Sequence, residues 1–168
     1  MRIYISGKEA WNSTFCAENG DVIYETLSPR KIFGRTTTIN RIEDRNGHEM
    51  SSNLAQFAWK TFRSARLQFR NKEVRTRSFF KKKGWGMHGR DRVFEIDGYQ
   101  FRWKLGSGEL RLNNRPHMLV ARYYPEGKRG SLTSKASKPF LEIMSGWKNF
   151  TDDIIVSFVY IEKLVEDE

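Results

Sequence analysis

The sequence predicts a mainly β protein, a closed barrel of about twelve antiparallel strands around a central C-terminal helix. Three observations carry that expectation. Turn-forming residues recur roughly every ten positions, the spacing of short strands in a sandwich or barrel. Tyr99, Phe101 and Trp103 alternate with Gln100, Arg102 and Lys104, which is the period of a half-buried strand. Residues 154–161 are apolar except Ser157, so they must be surrounded by protein on all sides whatever their secondary structure. Closing a sheet about such an element removes the exposed edges that many short strands would otherwise leave.

Each element follows from local chemistry. Strands at 13–17 and 22–27 flank Asn19-Gly20-Asp21, a hairpin turn. A strand at 34–43 contains three consecutive threonines, and Asn46-Gly47 turns the chain into a strand at 53–62. At 65–70, Leu67 and Phe69 point inward while Arg66, Gln68 and Arg70 point outward. A shorter strand at 77–81 leads into a glycine-rich turn at 84–89. Strands at 92–96 and 99–105 are joined tightly through Asp97-Gly98, and 109–113, 117–124 and 139–144 complete the set. Residues 125–138 are polar, small and basic, the composition of a mobile loop. The β-branched residues of the last apolar run favour a strand. Against that, Thr151 suits an N-cap, Asp152 and Asp153 sit where a helix dipole favours negative charge, and Ile154, Phe158, Ile161 and Leu164 share one helical face. The expectation is a helix at 151–165, in a single domain covering 1–168 with no internal repeat or linker.

Composition bounds the function. At 168 residues, with 38% hydrophobic and 14% aromatic content, the chain can bury a core and is too apolar for disorder. The single cysteine, Cys16, leaves no intramolecular disulfide and no cysteine-based zinc site. Residues 1–15 lack the apolar stretch of a secretory signal, and no run is long enough for a transmembrane helix. The chain therefore reads as intracellular and cytoplasmic, at most peripheral to a membrane, and the sequons at Asn12 and Asn149 read as chance matches. The net charge of +10 is uneven: residues 60–92 hold 12 Lys/Arg against two acids, and the remainder is balanced. Such asymmetry points to an anionic partner.

Enzyme signatures are weak. Gly84-Trp85-Gly86-Met87-His88-Gly89 spells G-x-G-x-x-G, but lysines precede it and a strand follows, whereas dinucleotide binding needs a strand before and a helix after. His48, His88 and His117 lie in separate turns without helical spacing or a cysteine partner, so they read as solvent-facing. No G-x-S-x-G elbow is present. No catalytic residue, metal or cofactor is expected.

The order of Asn19–Tyr24 (Asn-Gly-Asp-Val-Ile-Tyr), Arg35-Thr-Thr-Thr-Ile39, Ala55-x-x-x-Trp59, Asp97-Gly-Tyr-x-Phe-Arg-Trp-Lys104 and the closing apolar run resembles a family of small, uncharacterised proteins of mushroom-forming fungi. That family resembles the Tubby-like barrels, together with plant LURP-one-related proteins and phospholipid scramblases. The resemblance implies a β-barrel wrapped around a central C-terminal helix. It implies no established activity, and the acidic calcium-binding segment and cysteine cluster of scramblases are not visible here. Tubby-type barrels bind phosphoinositides, which favours lipid as the anionic partner.

The function expected is a non-enzymatic binding or scaffold module. Its candidate contacts are Arg75, Arg77, Lys81, Lys82, Lys83, Trp85, Arg90 and Arg92, in a stretch where cations interleave with Phe79, Phe80 and Trp85. Lysines attract anionic headgroups while a tryptophan suits the membrane interface. Nucleic acid, with bases stacking on the aromatic rings, is the second partner. A protein-interaction domain with a merely solvated basic edge, and an enzyme assembled from dispersed loop residues, are the remaining alternatives.

Overall fold

The computed structural model describes residues 1–29, 34–45, 47–59, 65–84, 91–127 and 138–167. Thirteen strands account for most of them. The first seven are β1 (Arg2–Glu9), β2 (Asn12–Cys16), β3 (Val22–Leu27), β4 (Arg35–Arg45), β5 (His48–Trp59), β6 (Arg66–Phe69) and β7 (Lys72–Arg75). A one-turn helix α1 (Thr76–Phe79) separates them from β8 (Lys81–Lys83), β9 (Asp91–Ile96), β10 (Tyr99–Lys104), β11 (Glu109–Leu112), β12 (Leu119–Tyr124) and β13 (Phe140–Ile143). A 3-10 turn at Ser145–Phe150 feeds the long helix α2 (Thr151–Glu166). The protein is mainly β with a C-terminal helix, as the sequence predicts.

All thirteen strands form one antiparallel sheet in the order β7-β6-β5-β4-β3-β2-β1-β13-β12-β11-β10-β9-β8. Apart from β7 and β8, each strand pairs with its neighbour in sequence, and β13 returns to β1 through Ile3 opposite Leu141. The contact that would complete the circuit, β7 with β8, is missing, so the sheet is not closed into the expected barrel. Parity gives the reason. Twelve antiparallel steps bring β8 back to the direction of β7, and parallel neighbours need a crossover of roughly a dozen residues or more. Only Thr76 to Phe80 lies between them.

Alternation sets which residues enter the core. In β10, Phe101 and Trp103 are each 1% exposed, opposite Leu112 and Leu110 on β11. Tyr99, expected on that buried face, is 46% exposed. It is the first residue after the Asp97-Gly98 turn, so it overhangs the rim and packs edge-on against Trp147 and Phe150 instead. Arg102, expected free on the outer face, is half-buried and ion-paired with Asp91 at 2.6 Å. The hairpin of β4 and β5 extends well beyond the core. Residues 48–53 are all exposed, and burial begins only near Ala55 and Phe57. The strand expected at 77–81 is instead the helical turn α1 followed by β8. Of the loop expected at 125–138, Pro125, Glu126, Gly127 and Lys138 are exposed, and residues 128–137 lie outside the described residues.

α2 lies against the inner face of the sheet and is buried from Asp153 to Ile161 and again at Lys163. Its contacts come from far-apart strands. Phe158 meets Phe15 of β2, Trp103 of β10 and Tyr123 of β12. Tyr160 stacks on Phe57 and Trp59 of β5 and on Phe80. The one polar residue of the run is satisfied: Trp103 Nε1 donates to Ser157 Oγ at 2.9 Å, and Ser157 Oγ donates to the Ile154 carbonyl at 2.9 Å. Thr151 does not act as the N-cap. Phe150 holds that position with no side-chain cap, while Thr151 Oγ1 donates back to the Lys148 carbonyl at 2.5 Å. The chain enters α2 already coiled as a 3-10 turn, so no extended residue precedes the helix to cap it.

Candidate functional site

The basic stretch is built on the break between β7 and β8. Arg70 and Asn71 both have left-handed backbones, φ 51° and 59°, which makes the two-residue turn from β6 into β7. Thr76, 2% exposed, ends β7: its N–H and its Oγ1 both donate to the Ala65 carbonyl, at 2.9 and 3.0 Å. Phe80, also 2% exposed, stacks on Tyr160 with centroids 4.2 Å apart and meets Phe94 edge-on. Two buried anchors, with half-buried Phe79 stacked on Phe94, thus pin a short segment whose cations stand outward. Arg75, Arg77, Lys81, Lys82 and Lys83 are all exposed.

The acids near these cations are already engaged. Glu73 pairs with Arg66, and Asp91 accepts from Arg102 Nε at 2.7 Å and Nη2 at 2.6 Å. Lys83 Nζ donates to Asn113 Oδ1 at 2.7 Å. Arg75, Arg77, Lys81 and Lys82 have no ion-pair partner among the described residues. Arg92 stands opposite Lys82 on β9, half-buried, with Nη1 donating to the Asp91 carbonyl at 3.3 Å. Trp85 and Arg90 lie outside the described residues, as does the G-x-G-x-x-G stretch beyond Gly84. The element after that stretch is the strand β9, not a helix. A hollow of about 180 Å³ beside the segment is floored by Phe79, Val93 and Phe94 and edged by Ser78, Lys81 and Gln100.

A second polar cluster, which the sequence does not disclose, surrounds the start of α2. The Tyr24 hydroxyl donates to Asp152, and Arg41 bridges Asp152 at 3.1 Å and Glu43 at 3.0 Å. Arg70 Nη1 reaches Asp97 at 3.0 Å and Nη2 reaches Asp153 at 2.9 Å, joining the β6–β7 turn to the β9–β10 turn and to the helix. The Asp153 side chain is 2% exposed and its Oδ1 has no hydrogen-bond partner among the described residues. Burial pushes its pKa up to about 6, against the opposing pull of Arg70. Burial, together with the Asp152 carboxylate, also raises that of Tyr24. An open hollow of about 410 Å³ adjoins this cluster, lined by Tyr24, Arg41, Glu43, Lys148 and Asp152 among others. Asp152 and Asp153 were expected to complement the helix dipole. They also anchor two arginines, whose positions 111 and 83 residues away leave no local signal.

Elsewhere, Glu109 is held down to about 2 by its hydrogen bond from Arg111, with Arg122 on its other oxygen. Glu162 is pushed up to about 7 by burial. His48 and His117 are exposed. Among the described residues no three His, Cys, Asp or Glu side chains are grouped as metal ligands, and no helix is long and apolar enough to cross a membrane. No curated protein and no solved structure matches the chain. Residues 8–167 match a family of unknown function, DUF6593, and the chain belongs to that family.

Proposed function

We propose that this chain is a non-enzymatic binding module that docks on anionic phospholipid headgroups through Arg75, Arg77, Lys81, Lys82 and Lys83, with Trp85, Arg90 and Arg92 completing the contact. One observation carries the reading: five exposed cations follow one another across β7, α1 and β8, and none of the five has an ion-pair partner among the described residues. A cation at an anionic membrane surface is worth about 1 kcal/mol, so five acting together give useful peripheral attachment. Attachment would be to a cytoplasmic leaflet, where anionic lipids concentrate. In the same reading the fold is a Tubby-like barrel whose hydrogen-bonded ladder is interrupted once. Contacts from β2, β5, β10 and β12 to a single helix support that architecture.

Flotation with phosphatidylserine-containing and pure phosphatidylcholine vesicles tests the docking. Binding is expected to the first only, and to weaken as salt shortens the screening length. Replacing Lys81, Lys82 and Lys83 by alanine should remove most of it while leaving the melting temperature unchanged, because exposed lysines contribute little to stability. Absence of vesicle binding at low salt would overturn the lipid reading. Nucleic-acid binding whose logarithmic salt slope falls by about 0.7–0.9 per lost cation would replace it.

A further inference from the structure

We propose that Ser78 is a phosphorylation site for an arginine-directed serine kinase, and that its phosphate switches off the basic segment. The inference rests on the docking reading above and supplies its regulation. Of the chain's serines and threonines, only Thr38 and Ser78 follow an arginine by three positions, the spacing that kinases with an acidic peptide groove select. The fold separates the two. Thr38 is half-buried in β4, paired with Leu27 of β3 on one side and with Gln56 of β5 on the other. Ser78 is exposed in α1, and its hydroxyl has no hydrogen-bond partner among the described residues. Arg77 stands directly before it and the apolar Phe79 directly after.

A kinase reads its substrate extended, so α1 must open. It is a single turn with no side-chain cap and no acid in its first turn, closed by the Phe80 N–H on the Thr76 carbonyl at 2.7 Å. One turn has no helical stability of its own. Between Arg75 and Phe79 only Thr76 is fully buried. Opening therefore costs mainly the two bonds from Thr76 to the Ala65 carbonyl and the stacking of Phe79 on Phe94. In the kinase a base takes the hydroxyl proton as Ser78 Oγ bonds to the γ-phosphorus of ATP. The bond from that phosphorus to its bridging oxygen breaks, and ADP leaves with the electron pair. Once the turn closes again, the phosphate stands among cations. Arg75 is one turn back, and Lys81 shares with Ser78 the edge of the hollow of about 180 Å³. Glu95, the one acid at that edge, accepts from Gln100 Nε2 at 3.1 Å. Phosphate oxygens take charge-assisted hydrogen bonds from such cations. A phosphoserine carries a charge of about −1.5 to −2, enough to cancel about two of the five.

Each cation at an anionic surface contributes about fivefold to partitioning, so cancelling two should lower it about thirtyfold. The full chain, free of lipid, is incubated with magnesium ATP and the catalytic subunit of cyclic-AMP-dependent protein kinase, and the modified residue is located by mass spectrometry of its peptides. One phosphate at Ser78 is expected, absent from Ser78→Ala and incorporated about tenfold more slowly in Arg75→Ala. The modified protein should leave a cation exchanger at lower salt and melt like the unmodified chain. With vesicles of phosphatidylserine and phosphatidylcholine in equal parts, its partitioning should fall by the factor above. Ser78→Ala should float as the native chain does, before and after kinase treatment. No incorporation, incorporation at Thr38 in place of Ser78, unchanged elution, or flotation as strong after modification as before would each overturn the proposal. A chain that takes the phosphate at Ser78 and elutes earlier, yet floats in neither form, would keep the modification site and overturn the docking reading instead.

Discussion

Replacing Phe158 by alanine probes the assembly of sheet and helix at its centre. The ring is 1% exposed and touches three others, Phe15 edge-on at 6.4 Å, Trp103 at 6.1 Å and Tyr123 at 4.9 Å between centroids. These come from β2, β10 and β12, so no single neighbour can shift inward to fill the space. Truncating a phenylalanine in so confined a site costs about 3–5 kcal/mol, the transfer loss plus the cavity left behind. A domain's whole stability is only about 5–15 kcal/mol. At this chain length each kcal/mol moves the midpoint by about 2–4 °C, so a fall of roughly 8–15 °C is expected. Thermal unfolding followed by near-ultraviolet circular dichroism would report it, with Val165→Ala as the control. Val165 is on the same helix but 49% exposed, and its truncation should stay within about 0.5 kcal/mol. Equal, small shifts for the two variants would refute the enclosure of α2.

Two further outcomes follow from buried polar groups. Ser157→Ala would leave the Trp103 indole N–H without its acceptor and should cost about 1–3 kcal/mol in urea unfolding. Trp103→Phe should then cost less in that background than alone, and strict additivity would mean that the hydrogen bond carries no weight. Stability should also depend on pH through carboxyls with opposite shifts. Asp153 and Glu162, pushed up to about 6 and about 7, bind protons more tightly when folded. Their contribution is complete below their ordinary values near 4 and is lost as pH rises through 6 and 7. Glu109, held down to about 2 by Arg111 and Arg122, contributes above its ordinary value and loses that contribution as pH falls towards 2. Lowering the pH from about 8 to about 5 should therefore raise the melting temperature, and Glu162→Gln should flatten the upper part of that rise. An unaltered profile in Glu162→Gln would show that its carboxyl is not the titrating group.

How much of this could be read from the chain depends on whether a residue's neighbours lie close by in sequence. Val22–Leu27 and the Asp97-Gly98 hairpin were legible because turn and alternation are local properties. α2 was legible for a related reason, since a run apolar on every side has only one kind of environment. β1 and β7 were not: β1 buries only Ile3 and Ile5, and β7 has no fully buried side chain. β8 carries three consecutive lysines, a pattern with no period at all. The candidate cations were visible as a charge surplus, but not the anchors Thr76 and Phe80 that hold their segment. Those anchors depend on Ala65 and Tyr160, which belong to other elements. The Arg41–Asp152 and Arg70–Asp153 pairs were hidden for the same reason, and so was the parity that leaves the ladder open.

The position of α2 in the chain has a consequence in time. Each half of the sheet is a run of sequence-adjacent hairpins, pairings that cost little loop entropy and form quickly. The ladder between β1 and β13, which joins the halves, spans about 140 residues, and α2 follows all thirteen strands. During synthesis the inner faces of both halves are therefore made before the element that covers them exists. Until Thr151–Glu166 emerges, Phe15, Phe57, Leu67 and Trp103 have no helix to pack against, the kind of interval in which nascent β proteins draw on chaperones. The slow step of folding should then be the joining of two preformed meanders over a late helix, and lesions in α2 should lower the yield of folded protein more than its folding rate constant.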